Sequence, residues 1–145
     1  LAILDDASVA AVRVTLGIDN LIASGQACEA GAAVGDVVYF RAATVQFERA
    51  RANAAATMPA FGIVVAKPTG VTADIMALDG VYDEIAVDDA SAPLVAGSIY
   101  YVSPTVAGKV TSTVPGAGQF LQEVGQAIAT NIMLVALDDD YDALA

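Results

Sequence analysis

The chain has 145 residues, enough for one domain that buries about two-thirds of its unfolded surface. Hydrophobic residues make up 57% and aromatics 6%, so the expected core is thin and closely packed, built from Val, Ile, Leu and Ala. Six basic against seventeen acidic residues give a net charge of −11, which argues against nucleic acid and anionic lipid surfaces as partners.

The first patterned segment is "VAAVRVTLGI". Val12, Val14, Leu16 and Ile18 alternate with Arg13, Thr15 and Gly17, the period of a half-buried strand. A Gly/Ser break follows in "ASGQACEAGAAVGD". Residues 1–24 therefore read as an N-terminal arm or strand, residues 25–137 as a β-domain and residues 138–145 as an acidic, frayed tail. From Gly35 onward, short strands alternate with turns. "VVYF" and "VQFER" form one hairpin, and the Ala-rich "ARANAAAT" has the propensity for a helical turn or two. "FGIVVA" leads to the "KPTG" turn, and "TADIMAL" and "VYDEIAV" flank Asp79-Gly80, a strong hairpin signal. "SIYYV", "KVTST", "FLQEVGQAIA" and "NIMLVAL" complete the series. Many short strands at regular turn spacing predict an all-β fold, a small barrel or sandwich of antiparallel strands.

The second half echoes the first. "VGDVVYF" is matched by "AGSIYYV", and "AFGIVVA" by "EVGQAIA". Gly62 follows Gly35 at nearly the interval at which Gly125 follows Gly97. The pattern predicts two related hairpin units sharing one core, too few for a solenoid.

Chemical signatures are scarce. Without histidine there is no imidazole base or ligand, and Cys28, the lone cysteine, cannot form an internal disulfide. "AGKV" around Lys109 lacks the glycine and hydroxyl of a phosphate loop, and "PGAGQFL" lacks the last glycine of a dinucleotide fingerprint. Asp83/Glu84 and Asp88/Asp89 are paired carboxylates without a Trp platform for a sugar. Asp138, Asp140 and Asp142 begin like a calcium loop but lack its Gly and closing Glu. No cofactor, no metal and no enzymatic activity are expected. No run approaches the ~20 apolar residues of a membrane span, and no charged-then-apolar leader opens the sequence. The expectation is a protein made in a cytoplasm. Arg41, Arg49 and Arg51 cluster around one hairpin, where they could dock on an acidic partner or pair with the chain's own carboxylates.

"VGDVVYF…AFGIVVA", followed by "LVAGSIYYVSPTVAGKVTS…GQFLQEVGQAIATNIMLVAL", resembles the small β-rich surface modules of tailed-bacteriophage virions, namely capsid decoration proteins and head- or tail-fibre modules. The resemblance rests on Gly97, Tyr100, Tyr101, Val102, Gly108, Val110, Thr111, Gln122, Val124, Gly125 and Ala127, all structural positions. It implies a virion protein on the capsid surface that binds the major capsid protein, as a homotrimer at a symmetry site, and stabilises the shell. The interface residues expected on this reading are Val12, Arg13, Val14, Leu16 and Ile18 of the arm, with Arg41, Arg49 and Arg51. The alternative is a receptor- or glycan-binding fibre module, which requires Tyr39, Tyr82, Tyr100 or Tyr101 grouped in a concave site. A third reading, an acidic hydrolase, requires two carboxylates facing each other across a cleft.

Overall fold

The computed structural model describes residues 22–77, 79–88, 92–137 and 141–145. Val12, Arg13, Val14, Leu16 and Ile18 of the expected arm lie outside the described residues, as do Asp89, Asp138 and Asp140. The fold is all-β: two five-stranded antiparallel sheets packed on a shared core, with a small two-stranded sheet beside them.

The first sheet is drawn from β1 (Ile22–Ala27), β2 (Val37–Arg41), β3 (Gln46–Arg49), β4 (Gly62–Ala66) and β5 (Thr72–Ala77), in the spatial order β1-β5-β4-β2-β3. The second is drawn from β6 (Asp79–Tyr82), β7 (Ile99–Val102), β8 (Val110–Thr111), β10 (Glu123–Ala127) and β11 (Met133–Ala136), in the order β6-β11-β10-β7-β8. With β9 (Phe120–Leu121) set aside, the two orders are the same permutation of five successive strands.

The correspondence extends to individual bonds. In the first half the Gly35 amide donates to the Val64 carbonyl at 2.8 Å, and the Val64 amide donates back to Asp36 at 2.9 Å. In the second, Gly97 donates to Ala127 at 2.7 Å, and Ala127 donates back to Ser98 at 2.9 Å. Val38 faces Gly62 in one sheet and Tyr100 faces Gly125 in the other. After each leading edge strand comes a parallel bridge to the opposite edge strand, Cys28 to Phe47 and Val87 to Val110. These bridges roll each sheet towards its own far edge. The two related units expected from the sequence are present as two topologically matching sheets.

Burial explains why the two halves read differently. In the first sheet, Val37, Tyr39, Ile63 and Met76 enter the main core, which also holds Tyr82, Tyr100, Val124 and Met133 of the second sheet. The alternate residues Val38, Val64, Ala73 and Ile75 form a second cluster with Cys28 and Ala32. Both faces are covered, so the strands read as unbroken apolar runs, "VVY" and "GIVV". In the second sheet β11 alternates buried and exposed residues, as a strand covered on one face does.

Two expectations are corrected, and the helical turn expected of the Ala-rich stretch is found. Asp79-Gly80 is part of β6 and makes no hairpin with β5. β5 is already paired on both sides, by β1 and β4, so the next strand has no free edge there and crosses to the second sheet. The Ala-rich stretch forms a short 3-10 helix, Ala55–Thr57. The end of the tail is not frayed: β12 (Asp142–Ala143) pairs with β9, and Tyr141 packs on Phe120 with ring centroids 5.5 Å apart.

Candidate interaction surface

Of the arginines expected to face a partner, the described ones, Arg41, Arg49 and Arg51, all bond to groups of their own chain. Arg41 Nη1 lies 3.2 Å from Glu48 Oε2. That carboxylate also accepts hydrogen bonds from Tyr39, Thr44 and Gln46. Burial alone would push the Glu48 carboxyl up, but the bonds from Gln46, Thr44, Arg41 and Tyr39 outweigh it and hold it below its ordinary value. Arg49 Nε pairs with Glu29 Oε1 at 2.6 Å, and this bond raises the guanidinium pKa further. β3 ends at Arg49, so Arg51 does not continue its face; Arg51 Nε instead donates to the Pro104 carbonyl at 3.1 Å.

The described lysines are engaged too. Lys67 Nζ donates to the carbonyls of Glu29, Ala30 and Ala32, and Lys109 Nζ bonds the buried carboxylate of Asp36. Every described cation is thus tied to an acceptor of its own chain. Asp83, Glu84, Glu123 and Asp142 are exposed, so acidic groups predominate at the surface, where Arg41 is also exposed beside Glu48.

A cleft of about 300 Å³ is lined by Asp88, Thr105, Thr111, Thr113 and Gln119 among others. Asp88 Oδ2 accepts hydrogen bonds from the Ser103 and Thr105 hydroxyls, and it is the single carboxylate in the lining. No aromatic ring lines the cleft. Tyr39, Tyr82 and Tyr100 are buried and Tyr101 is half-buried, so the concave tyrosine site that a glycan reader requires is not formed there. Cys28 is buried, and burial pushes its thiol pKa up against the opposing charge of Lys67, the reverse of an activated nucleophile. Among the described residues there is no cluster of three or more His, Cys, Asp or Glu able to hold a metal. No described helix is long and apolar enough to cross a membrane.

The feature that sequence reading missed is the outward face of the second sheet. Register places Val81 opposite Leu134, Leu134 opposite Gln126 and Gln126 opposite Ile99. Residues directly opposite share a face, so these four form one row across four strands. Val81 is 64% exposed, Leu134 49% and Ile99 40%. Ile128, two residues beyond Gln126, is exposed as well. Beside the row, Glu123 is exposed opposite half-buried Tyr101. The signal was the alternation in "IYYV" and "MLVA": when Tyr100, Val102, Met133 and Val135 turn inward, Ile99 and Leu134 must turn out.

No family model matches the sequence, and no curated protein matches it. Among solved structures the chain is similar to one described as "The capsid of Myoviridae Phage XM1". The two share 21% identity, with 79% of this chain and 81% of that chain covered, at a TM-score of 0.44. A likeness of that degree assigns no function.

Proposed function

We propose that this is a non-enzymatic structural protein of a tailed-phage virion, which binds an assembled capsid as a decoration protein and stabilises it. The observation that carries this reading is the row Val81, Leu134, Gln126 and Ile99, three of whose four side chains are apolar and exposed on one face of the second sheet. Apolar side chains scattered singly need no explanation, whereas a contiguous set marks a contact surface. The sequence resemblance to virion surface modules supports the same reading.

The mechanism is burial. Each interface above ~1,000 Å² adds binding energy to the assembled shell and none to its separated subunits. Repeated over the shell, such contacts shift the balance towards the assembled state. The partner on this reading is the major capsid protein, and the bound form is a homotrimer. The segment before β1 then reaches a neighbouring subunit, and the sheets fold without it.

The test uses shells of the host phage assembled without this protein. Co-sedimentation of the purified chain with those shells is the expected result, and its absence overturns the reading. Light scattering of the free chain tests the trimer. Removing residues 1–21 leaves β1 intact and is expected to weaken oligomerisation or shell binding while preserving the melting transition.

A further inference from the structure

The matching of the two halves gives the exposed row a counterpart. In the first sheet, register places Ile22 opposite Met76, Met76 opposite Ile63 and Ile63 opposite Val37. Strand by strand this is the row that Val81, Leu134, Gln126 and Ile99 form in the second sheet. Ile63 follows the strand glycine Gly62 as Gln126 follows Gly125, and Val37 follows the turn glycine Gly35 by the two positions that separate Ile99 from Gly97.

Their environments are opposite. Val37 and Ile63 are 0% exposed and Met76 is 8%, all within the core shared with the second sheet, and Ile22 packs against it. The first half therefore uses this row to dock, while the second half presents the same row to solvent.

We infer that the outward row of the second sheet is a docking face for a different protein, whose surface is apolar at its centre and basic at its rim. A second copy of this chain fits poorly, for two reasons. Repeating the internal stacking would require the reverse face of another copy's first sheet. That face is filled by Cys28, Ala32, Val38, Val64 and Ile75, under a loop that Lys67 holds down. Charge gives the second reason. Each copy carries −11, and all its described cations are bound internally, so two copies bring like charge together around the face. Glu123 on the same face, and Asp83 just past the end of β6, instead call for cations opposite.

This inference rests on the decoration reading and names the surface that reading uses. The test is co-sedimentation with shells lacking the protein, at low and high salt, using wild type, Leu134→Glu, Val81→Glu, Glu123→Lys and the surface control Val114→Glu. All four positions are exposed, so folding is checked by unchanged melting. Leu134→Glu and Val81→Glu are each expected to weaken binding at least about tenfold, with Val114→Glu close to wild type. Wild-type binding is expected to weaken with salt, and Glu123→Lys to flatten that dependence.

Binding of Leu134→Glu at the wild-type level overturns this inference alone. Absence of wild-type binding overturns the decoration reading and this inference with it. A fall in oligomeric mass on Leu134→Glu substitution would make a second copy the occupant. Binding that strengthens after removal of residues 1–21 would make that segment the occupant. Either result overturns the assignment to a different protein.

Discussion

Lys109, directly before β8 of the second sheet, bonds the carboxylate of Asp36, which is 1% exposed and stands directly before β2 of the first sheet. The Ala33 amide donates to the other carboxylate oxygen at 2.9 Å. This ion pair links the two halves across their junction. Lys109→Met leaves a buried carboxylate with one donor fewer and is expected to destabilise by about 3 kcal/mol in urea unfolding. Asp36→Ala combined with Lys109→Met should cost clearly less than the sum of the two single changes. Additive costs would show that the pair does not couple.

Gly62 and Gly125 hold equivalent positions and are irreplaceable for the same reason. A Cβ at Gly125 would collide with the Leu134 carbonyl, and one at Gly62 would come within 2.7 Å of the Met76 carbonyl. Either neighbour is backbone of the adjacent strand and cannot move aside cheaply. Gly62→Ala and Gly125→Ala are each expected to cost more than about 2 kcal/mol by thermal unfolding. Gly70→Ala, with nothing within 4 Å of its Cβ, should remain within about 0.5 kcal/mol of wild type.

Tyr82 sets an alkaline limit. Burial, then the charges of Glu84 and Asp83, push its pKa up to about 12 from an ordinary 10.0. A folded-state pKa above the unfolded one means the contribution is complete below pH 10 and is lost as pH rises towards 12. The melting temperature is expected to fall across that window, and less steeply in Tyr82→Phe. The variant also loses the hydroxyl's 3.2 Å bond to the Val64 carbonyl, so near pH 7 it should be less stable by about 1 kcal/mol.

Cys28 reports on the loop that seals the reverse face of the first sheet. The thiol is buried with a raised pKa, so thiol reagents should label the native protein slowly and the unfolded chain at once. Lys67→Met removes the ammonium that binds the carbonyls of Glu29, Ala30 and Ala32. Labelling of Cys28 is then expected to accelerate at least about tenfold, as local opening becomes easier.

The all-β class was legible because alternation and turn residues carry it locally, and the repeat was legible in the spacing of Gly35, Gly62, Gly97 and Gly125. The role of Asp79-Gly80 was not. Turn chemistry is local, but whether a hairpin forms depends on a free edge, and β1 had taken the edge of β5 from far upstream. "FLQEVGQAIA" likewise reads as one strand but breaks at Gln122. Its buried side-chain amide pairs with both the amide and the carbonyl of Ala60, a partner that no periodicity announces. The arginines attracted attention because they were rare; Arg41 meets Glu48 across its own hairpin, but the partners of Arg49 and Arg51, Glu29 and the Pro104 carbonyl, lay at distances in sequence that pattern cannot span. The exposed row follows from alternation once the inward parity of β7 and β11 is known, and that parity is a tertiary fact.

Each large sheet is drawn from one uninterrupted half of the chain, with the crossing between them next to Asp79. On a ribosome, every strand of the first sheet is available for pairing before the second half has been made. At that stage Val37, Ile63 and Met76 await the half that will cover them. The nascent chain therefore shows one docking row, and the finished chain shows its counterpart. A condition that delays the second half, such as a slow codon run after Ala77, should raise aggregation during synthesis without altering the stability of the protein once made.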